Sequence, residues 1–259
     1  MDVYIQKSGG KNKSSFHLNK LPAARNLIKN GAIKMENSVN IIFSDKNIII
    51  TEKPAGISSQ PDKTGDKDML TMLSEKFSAE IFLVHRLDRP IGGIMIFAKN
   101  KKACSYLSEQ IQNKTFKKTY LAVVCGTPEK SEASLVDYII KNQRLNLSKA
   151  VHKNTSGARR AELCYKTINT CQADNFGVLS LLEIDLKTGR HHQIRVQLSS
   201  AGFPIWGDTK YNGAFKRKGG YIKTALFSNS IEFTNPATGK TEKYTISPPD
   251  EFPFSLFIK

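Results

Sequence analysis

The residues of this chain best suited to chemistry lie in His85–Lys99, which reads HRLDRPIGGIMIFAK. A single carboxylate, Asp88, stands between Arg86 and Arg89 and is followed by a proline and two glycines. The apolar run Gly93–Ala98 then has the length and composition of a buried strand. A carboxylate in a basic, constrained turn against a buried strand is a candidate catalytic group, but aspartate is also common in ordinary turns. Taken alone, this stretch favours the ordinary turn.

The charge of the chain points to a polyanionic partner. Its 259 residues include 39 Lys and Arg against 23 Asp and Glu, a net charge of +16 at pH 7. Such a balance is typical of proteins that bind nucleic acid or an anionic membrane surface. No apolar stretch approaches the roughly 20 residues that cross a bilayer, and the N-terminal sequence MDVYIQKSGGKNKSS lacks the apolar core of a secretory signal. We therefore expect a cytoplasmic protein that binds nucleic acid rather than membrane.

The sequence offers no motif for a metal or a cofactor. No two cysteines form a C-x-x-C pair, and the adjacent His191 and His192 have no cysteine or carboxylate nearby to complete a metal site. Neither G-x-G-x-x-G nor G-x-x-x-x-G-K-[ST] is present to hold a nucleotide. We expect no metal and no cofactor, and we expect four reduced thiols: Cys104, Cys125, Cys164 and Cys171.

The elements that must position Asp88 are predicted by apolar periodicity. Short apolar runs between turns predict strands, and apolar residues at helical spacing predict helices. Because strands and helices do not alternate regularly, we predict an α+β fold, a mainly antiparallel mixed sheet with flanking helices and basic loops. The predicted strands are Ile41–Phe43, Ile48–Ile50, Ile81–Val84, Gly93–Ala98, Thr119–Cys125, Ala161–Ile168, Val178–Leu186, Ala225–Phe227, Ile231–Phe233 and Lys243–Ile246; the predicted helices are Met69–Phe77, Asn100–Asn113 and His192–Ala201.

Two basic segments suit contacts to phosphate groups. Residues 128–160 carry few large apolar side chains after Leu147 and are basic over Lys141–Arg160, which favours an exposed hairpin or loop. Lys210–Lys223 is a second basic, glycine-rich loop. A single lysine in such a run is more often only a solvated residue. We place residues 1–39 in a basic N-terminal extension, similar to the end of a small RNA-binding module, and residues 40–259 in a second, larger domain.

Four separated segments, taken together, resemble the RluA family of RNA pseudouridine synthases. HRLDRPIGGIMIFAK resembles its Arg-Leu-Asp signature, KKTYLAVVCG its Lys-x-Tyr strand, and TGRHHQIRVQLSSAGFPIWGDTKY its G-R-x-H-Q-I-R helix and G-D-x-x-Y tail. IIFSDKNIIITEKPAG is similar to the hairpin that opens the family's catalytic domain. The segments keep the family's order and spacing. The resemblance implies the pseudouridine synthase fold and an isomerase that converts a specific uridine of rRNA or tRNA, without metal, redox cofactor or ATP.

The resemblance also implies roles for individual residues. Asp88 corresponds to the catalytic carboxylate, which must be ionised near the anomeric carbon of the target ribose. Arg195 corresponds to its basic partner, and a bidentate pairing would keep the carboxylate ionised and oriented. Tyr120 corresponds to the tyrosine that stacks on the target base. We further expect a monomer that contacts RNA through His85, Arg86, Arg89, Lys118, Arg190, His192 and Gln193.

Departures from the family pattern leave the substrate open, and two other functions remain as alternatives. Pro90–Gly93 replaces a Thr-Ser-Gly-like turn, Gln197 stands where a histidine is common, and Asn212 follows Tyr211 in place of a glycine. The first alternative is an inactive RNA-binding or ribosome-assembly protein of the same fold. The second is a basic hydrolase that uses Asp88, although such an enzyme usually needs a second carboxylate and no motif supplies one.

Overall fold

The computed structural model describes residues 39–216 and 222–258. Residues 1–38 of the predicted extension, and Arg217 and Lys218 of the second basic loop, lie outside the described residues. Within the described ranges the chain forms eleven strands and three α-helices. The strands are β1 Ile41–Ser44, β2 Ile48–Lys53, β3 Phe82–Leu83, β4 Gly92–Ala98, β5 Lys117–Cys125, β6 Glu132–Asn142, β7 Leu147–Val151, β8 Arg159–Ala173, β9 Gly177–Leu186, β10 Leu226–Thr234 and β11 Thr241–Thr245; the helices are α1 Met69–Phe77, α2 Lys101–Gln112 and α3 Gln193–Ser200.

These strands form one mixed sheet. Its main path runs β1-β2-β4-β10-β5-β9-β8-β6-β7, with β3 paired to β4 and β11 paired to β10. The described strand pairs are antiparallel except β4 and β10, which run parallel where Gly92 and Gly93 face Phe227 and Ser228. The predicted α+β class with a mainly antiparallel mixed sheet is confirmed.

The core explains why β2 and β4 are continuously apolar in sequence. All seven residues of β4 are buried, because the sheet is covered on both faces at this point. Ile49 and Met95 belong to one apolar cluster, whereas Ile48 and Ile94 belong to the second. The strand that follows the Asp88 turn is therefore among the most rigidly packed parts of the molecule.

Gly93, the second glycine after Asp88, is required by a close approach of two strands. A Cβ atom placed on Gly93 would lie 2.3 Å from the backbone oxygen of Ser228, and Gly93 has a φ of 124°. Only glycine fits this contact and this backbone conformation. The parallel contact between β4 and β10 therefore explains Gly93 in the strand that follows the Asp88 turn.

The three helices confirm the helical predictions. The carboxylate of Asp68 caps α1 by accepting from the backbone N–H of Thr71, and the side chain of Asn100 caps α2 by accepting from Ala103. Helix α3 begins after His192, which adopts a φ of 53°. Its buried side chains include two glutamines and an arginine, so α3 packs through polar contacts that its short apolar pattern does not reveal.

Two stretches of the sheet differ from the sequence-based prediction. The first basic segment, residues 128–160, contains a hairpin, as predicted. Its first strand, β6, runs over eleven residues and pairs with both β7 and β8. Strand β8 extends over fifteen residues, well beyond the predicted Ala161–Ile168. The outer positions of both strands are polar and exposed, so their length depends on pairing between distant segments.

The two short strands predicted at Ala225–Phe227 and Ile231–Phe233 are one continuous strand, β10. The polar residues between them are satisfied inside the protein. Ser228 donates to the backbone oxygen of Ile94 at 3.1 Å, and Asn229 donates to that of Ile246 at 2.6 Å. Because these groups keep their hydrogen bonds, the strand continues through a polar stretch.

Candidate active site

The Asp88 turn is pinned to the loop that follows β2. The backbone N–H of Gly56 donates to the oxygen of Arg89 at 2.8 Å. The hydroxyl of Ser59 donates to the backbone oxygen of Leu87 at 2.9 Å and accepts from its N–H at 3.0 Å. The turn closes on itself because Ile91 N–H donates to the oxygen of Asp88 at 2.9 Å. The backbone is therefore fixed on both sides of Asp88, whose side chain remains 22 % exposed.

A fully buried lysine supports the same turn through hydrogen bonds. The ammonium of Lys53 donates to the backbone oxygens of Pro54, Ile57 and Arg89 at 3.0, 2.6 and 3.2 Å. Burial lowers the pKa of Lys53 to about 7, and the negative charge of Asp88 opposes this shift. Lys53 thus joins the loop after β2 to the turn that carries Asp88, a role that nothing in the sequence analysis assigned to it.

Arg195 is the guanidinium that faces Asp88, but its bidentate partner is a different carboxylate. Its Nε and Nη2 atoms donate to the two oxygens of Asp208, both at 2.7 Å. Only Nη1 reaches Asp88, at 3.5 Å from Oδ2. The expectation of a bidentate Asp88–Arg195 pair is therefore wrong, because α3 and the Asp208 turn place the fork of the guanidinium against Asp208.

Asp208 is held more completely than Asp88. It has no exposed surface, and its Oδ1 atom also accepts from the backbone N–H groups of Lys210 and Tyr211, at 2.9 and 3.1 Å. The aspartate lies in the quoted segment TGRHHQIRVQLSSAGFPIWGDTKY, but an isolated Gly-Asp after an apolar residue is typical of a turn. Sequence reasoning therefore missed its contact with Arg195.

The charge state of Asp88 is set by two opposing effects. Burial raises the pKa of Asp88, whereas the guanidinium of Arg195 lowers it through its charge and its hydrogen bond, with smaller contributions from Arg86 and Lys210. The net direction is upward. The carboxylate therefore has a higher free energy when ionised than it would have in water, which is the property of a reactive group.

His192 and Tyr211 complete the wall around Asp88. His192 is buried, its Nε2 atom lies 3.6 Å from Oδ2 of Asp88, and its Nδ1 atom lies 2.7 Å from the hydroxyl of Tyr211. That hydroxyl also accepts from the backbone N–H of Ser148 in β7 at 2.8 Å. The ring of Tyr211 packs against the guanidinium of Arg195, 5.1 Å from its centroid. The β6–β7 hairpin is thus connected directly to the candidate site.

Tyr120 is buried in β5, where its backbone faces Ser228 of β10. Burial raises the pKa of Tyr120, the charge of Asp88 raises it further, and a hydrogen bond with Ser228 opposes both. Ser228 of β10 is the register partner of both Tyr120 in β5 and Gly93 in β4, so Tyr120 lies two strands from the strand that follows the Asp88 turn. The structure thus brings Arg195 to 3.5 Å from Asp88 and places Tyr120 on this nearby strand.

The residues predicted to contact RNA fall into two groups. Arg86 and Arg190 are exposed, and the charge of Arg86 reaches Asp88. Lys118 is half-buried, with a pKa that burial lowers, and its Nζ atom lies close to Gly189 at the turn before α3. These three cations, like His192, lie at or near elements of the candidate site.

The other three predicted contacts are occupied within the protein. Arg89 bonds the backbone oxygen of Gly56 and the side chain of Thr64, and forms ion pairs with Asp62 and Asp66. The His85 ring packs on Phe116 and its Nε2 atom accepts from Ile96, while burial lowers its pKa to about 3. Gln193 makes four hydrogen bonds, with Thr188, Arg190, Glu162 and Gln197. For these residues the contacts indicate supporting roles.

Within residues 39–216 and 222–258, no group of three His, Cys, Asp or Glu side chains is placed to hold a metal ion. Over the same ranges, no helix has the length and apolarity needed to cross a membrane.

Gln197, which stands where a histidine is common in the RluA family, donates to the side chain of Asp137 at 2.8 Å and to the backbone oxygen of Leu135 at 3.1 Å. It therefore joins α3 to β6.

Comparison with known proteins shows the family of the chain. A family model described as RNA pseudouridylate synthase matches residues 47–200. The chain is 31% identical over 206 residues to an uncharacterized RNA pseudouridine synthase of Bacillus subtilis, covering 77% of this chain and 65% of that protein. It is 31% identical over 226 residues to tRNA pseudouridine synthase C of Haemophilus ducreyi (81% and 90%). It is 30% identical over 220 residues to ribosomal large subunit pseudouridine synthase C of Buchnera aphidicola (82% and 68%).

Two solved structures share the fold. Human RNA pseudouridylate synthase domain containing 1 matches with a TM-score of 0.69 at 19% identity, covering 84% of this chain and 86% of that chain. Human RNA pseudouridylate synthase domain containing 4 matches with a TM-score of 0.67 at 22% identity, covering 84% and 91%. At such identities the likeness concerns the fold alone.

Proposed function

The chain belongs to the RluA family of RNA pseudouridylate synthases, and from this premise we propose that it converts a specific uridine of structured ribosomal or transfer RNA to pseudouridine. The observation that carries the proposal is the geometry at Asp88. A partly exposed carboxylate stands in a fixed turn and faces one guanidinium at 3.5 Å, and a buried tyrosine lies two strands from the strand that follows the turn.

The chemistry requires an ionised carboxylate at the ribose. Pseudouridine formation breaks the glycosidic bond of a uridine, turns the base, and rejoins it to the ribose through carbon 5. Direct attack of a carboxylate on the anomeric carbon and passage through a glycal both need such a group close to the sugar. Asp88 fills this role in the proposal, because Arg195 stabilises its charge in a site where burial would otherwise favour the neutral form.

Tyr120 acts on the base in this proposal. Its raised pKa keeps the phenol protonated at neutral pH, so it can stack on a base and donate a hydrogen bond but does not supply a phenolate. Because Tyr120 is buried in β5, it offers a rigid aromatic surface to the base in this proposal.

Access to the uridine requires that it leave the base stack, at a cost of a few kcal/mol. The net charge of +16 favours the phosphate contacts that offset this cost. We assign such contacts to the exposed cations around the site, and we assign His85, Arg89 and Gln193 to internal support. The exposed cations are Arg86 and Arg190 beside the site and Lys141, Arg144 and Lys149 on the β6–β7 hairpin.

A hydrolase is disfavoured even though a second carboxylate is now visible. Glycoside hydrolysis uses two carboxylates that both face the bond to be broken. Asp208 has no exposed surface, and its oxygens accept from Arg195, Lys210 and Tyr211. It therefore cannot reach a substrate or exchange a proton with it.

The proposal includes the organisation of the protein. Asp88, Tyr120 and Arg195 all come from one chain, and we propose that the protein acts as a monomer. We place the catalytic domain at residues 40–259, preceded by the basic extension of residues 1–39. We also place the enzyme in the cytoplasm, where ribosomal and transfer RNA are substrates for modification.

Mapping of pseudouridine in RNA from cells with and without this gene tests the function. We expect one or a few rRNA or tRNA positions to lose pseudouridine in the deletion strain and regain it with the wild-type gene but not with Asp88→Asn. If Asp88→Asn restores cellular function and no RNA position changes, the protein is an inactive RNA-binding or assembly factor instead.

A further inference from the structure

The contacts of Tyr211 determine where the proton of His192 lies. The Tyr211 oxygen accepts from the backbone N–H of Ser148 at 2.8 Å, so the phenol proton must find another acceptor. The Nδ1 atom of His192 lies 2.7 Å away and is the acceptor that the described residues provide. A neutral imidazole carries one proton. If Nδ1 accepts from the phenol, that proton is on Nε2.

The protonated Nε2 atom then faces Asp88. It lies 3.6 Å from Oδ2, the same oxygen that Nη1 of Arg195 approaches at 3.5 Å. Both distances exceed an ordinary hydrogen bond, as is common for catalytic contacts before substrate binds. No hydrogen bond from the described residues reaches the other oxygen, Oδ1. The two donors therefore converge on one oxygen and leave the other accessible.

The surroundings of His192 favour the neutral form. Its ring is buried and stacked on His191 with centroids 3.7 Å apart, and Arg195 approaches the same Asp88 oxygen as its Nε2 atom. Burial lowers the pKa of His192 to about 2, with further lowering by Arg195, His191, Lys210 and Lys141. A neutral donor stabilises the carboxylate without placing another cation beside Arg195.

We propose, resting on the function proposed above, that His192 is a neutral imidazole protonated on Nε2 that holds Oδ2 of Asp88 together with Arg195, so that Oδ1 faces the ribose. Tyr211 is the positioning residue that fixes this tautomer. Ser148 supplies the backbone N–H that orients Tyr211, so β7 of the basic hairpin is connected to the carboxylate through three residues.

The tautomer is tested by nitrogen NMR on the full-length protein labelled with ¹⁵N-histidine. We expect His192 Nε2 to resonate as a protonated ring nitrogen and Nδ1 as an unprotonated one. In Tyr211→Phe, which keeps the ring against Arg195, we expect mixed tautomers, a kcat about tenfold lower, as for one lost orienting hydrogen bond, and an unchanged KM for RNA. Tyr244→Phe is the matched control, because it loses a 2.9 Å bond to Glu242 in β11.

Two replacements of His192 separate its donor role from its backbone role. The amide nitrogen of glutamine lies as many bonds from Cα as Nε2 does, whereas that of asparagine reaches only the position of Nδ1. Asparagine tolerates the left-handed backbone of residue 192 better than glutamine does. We expect His192→Gln to retain more kcat than His192→Asn, whereas a purely structural role predicts the reverse order.

A wild-type spectrum with protonated Nδ1, or a Tyr211→Phe variant with unchanged spectrum and kcat, overturns the inference. If the wild-type protein makes no pseudouridine, the proposed function fails, but the NMR spectrum still decides the tautomer. The two failures are therefore distinguishable.

Discussion

Two carboxylates share one guanidinium in this protein, and they are held very differently. Asp208 takes both arms of the Arg195 fork at 2.7 Å, accepts two backbone N–H groups and has no exposed surface. Asp88 receives one arm of the fork at 3.5 Å, with His192 at 3.6 Å, and keeps 22 % of its side chain exposed. The first arrangement is that of a structural ion pair, and the second is that of a group available for reaction.

The difference shows how one arginine can serve two roles. A carboxylate that is fully bonded has no free oxygen for a substrate, so strong pairing and reactivity are incompatible at one residue. The Asp208 pair fixes the orientation of Arg195, and Arg195 then stabilises Asp88 without occupying both of its oxygens. Variants of the two aspartates should therefore separate reactivity from stability.

The largest expected effect on activity is that of Asp88→Asn. We expect kcat to fall by about 10⁴-fold or more, as for removal of an essential reacting group. We expect the melting temperature to stay the same or rise, because the raised pKa of Asp88 means that its ionised form costs free energy in the folded state. Thermal unfolding and single-turnover kinetics check both expectations. A variant that lost stability instead would make Asp88 a structural residue.

Asp208→Asn should lower stability more, and activity less, than Asp88→Asn does. Arg195 would remain buried with its main partner neutralised, so we expect the free energy of unfolding to fall by about 3 kcal/mol. The misplaced guanidinium should lower kcat by about 10²-fold. Denaturant titration and steady-state kinetics give the two values. The matched control is Asp185→Asn, in a half-exposed ion pair with Lys187, and a loss of stability as large in that control would remove the distinction.

Lys53 provides a pH test of the turn that carries Asp88. Well below pH 7 the lysine is charged in both states. The folded protein releases its proton near pH 7, whereas an unfolded lysine does so near 10.5. The unfolded state therefore binds more protons between these values, and stability from this group rises with pH by about 1 kcal/mol per unit. Comparison of unfolding free energies of wild type and Lys53→Met at pH 7 and 9 measures this rise. If the difference in unfolding free energy between wild type and Lys53→Met were the same at pH 7 and pH 9, the lowered pKa of Lys53 would be contradicted.

The smallest effect on the folded protein is expected for Arg190→Gln. The side chain is exposed and its Nε atom donates only to the backbone oxygen of Arg160, so we expect stability within about 0.5 kcal/mol of wild type. Loss of a phosphate contact should weaken RNA binding several-fold and lower the slope of log K against log salt by about 1. Lys101→Gln on the exposed face of α2 is the control. If Arg190→Gln and Lys101→Gln weakened RNA binding equally, the affinity for RNA would depend only on the net charge of the protein.

Much of the candidate site could be predicted from the sequence, and the predictions that failed did so for physical reasons. The motifs predict Asp88, Arg195 and Tyr120 as site residues, and the structure brings Arg195 to 3.5 Å from Asp88. The bidentate pairing was assigned to the wrong carboxylate, because residue type cannot show which of two aspartates lies in the plane of a guanidinium. Asp208 has the sequence context of an ordinary turn residue.

Buried polar residues were the general difficulty. Lysine is usually exposed, so nothing in the sequence indicates that Lys53 is fully buried against the Asp88 turn. Gln193 was predicted to contact RNA, but its four hydrogen bonds are all internal. Ser228 and Asn229 interrupted an apolar run, so one strand was predicted as two. In each case, at least one hydrogen bond to a distant segment holds the buried polar group, as with Lys53 and Arg89, Gln193 and Glu162, and Ser228 and Ile94, and local sequence does not show such a bond.

Tritium release tests the central claim most directly. Pseudouridine formation replaces the hydrogen at carbon 5 of uridine with the bond to ribose, so RNA tritiated at that carbon releases tritium to water. Using RNA from a strain that lacks the gene, we expect release by the wild-type protein, slower release by Asp208→Asn, and none by folded Asp88→Asn. Equal release by the wild type and Asp88→Asn, or no release by any of the three proteins, would contradict the assignment of Asp88 as the reactive carboxylate.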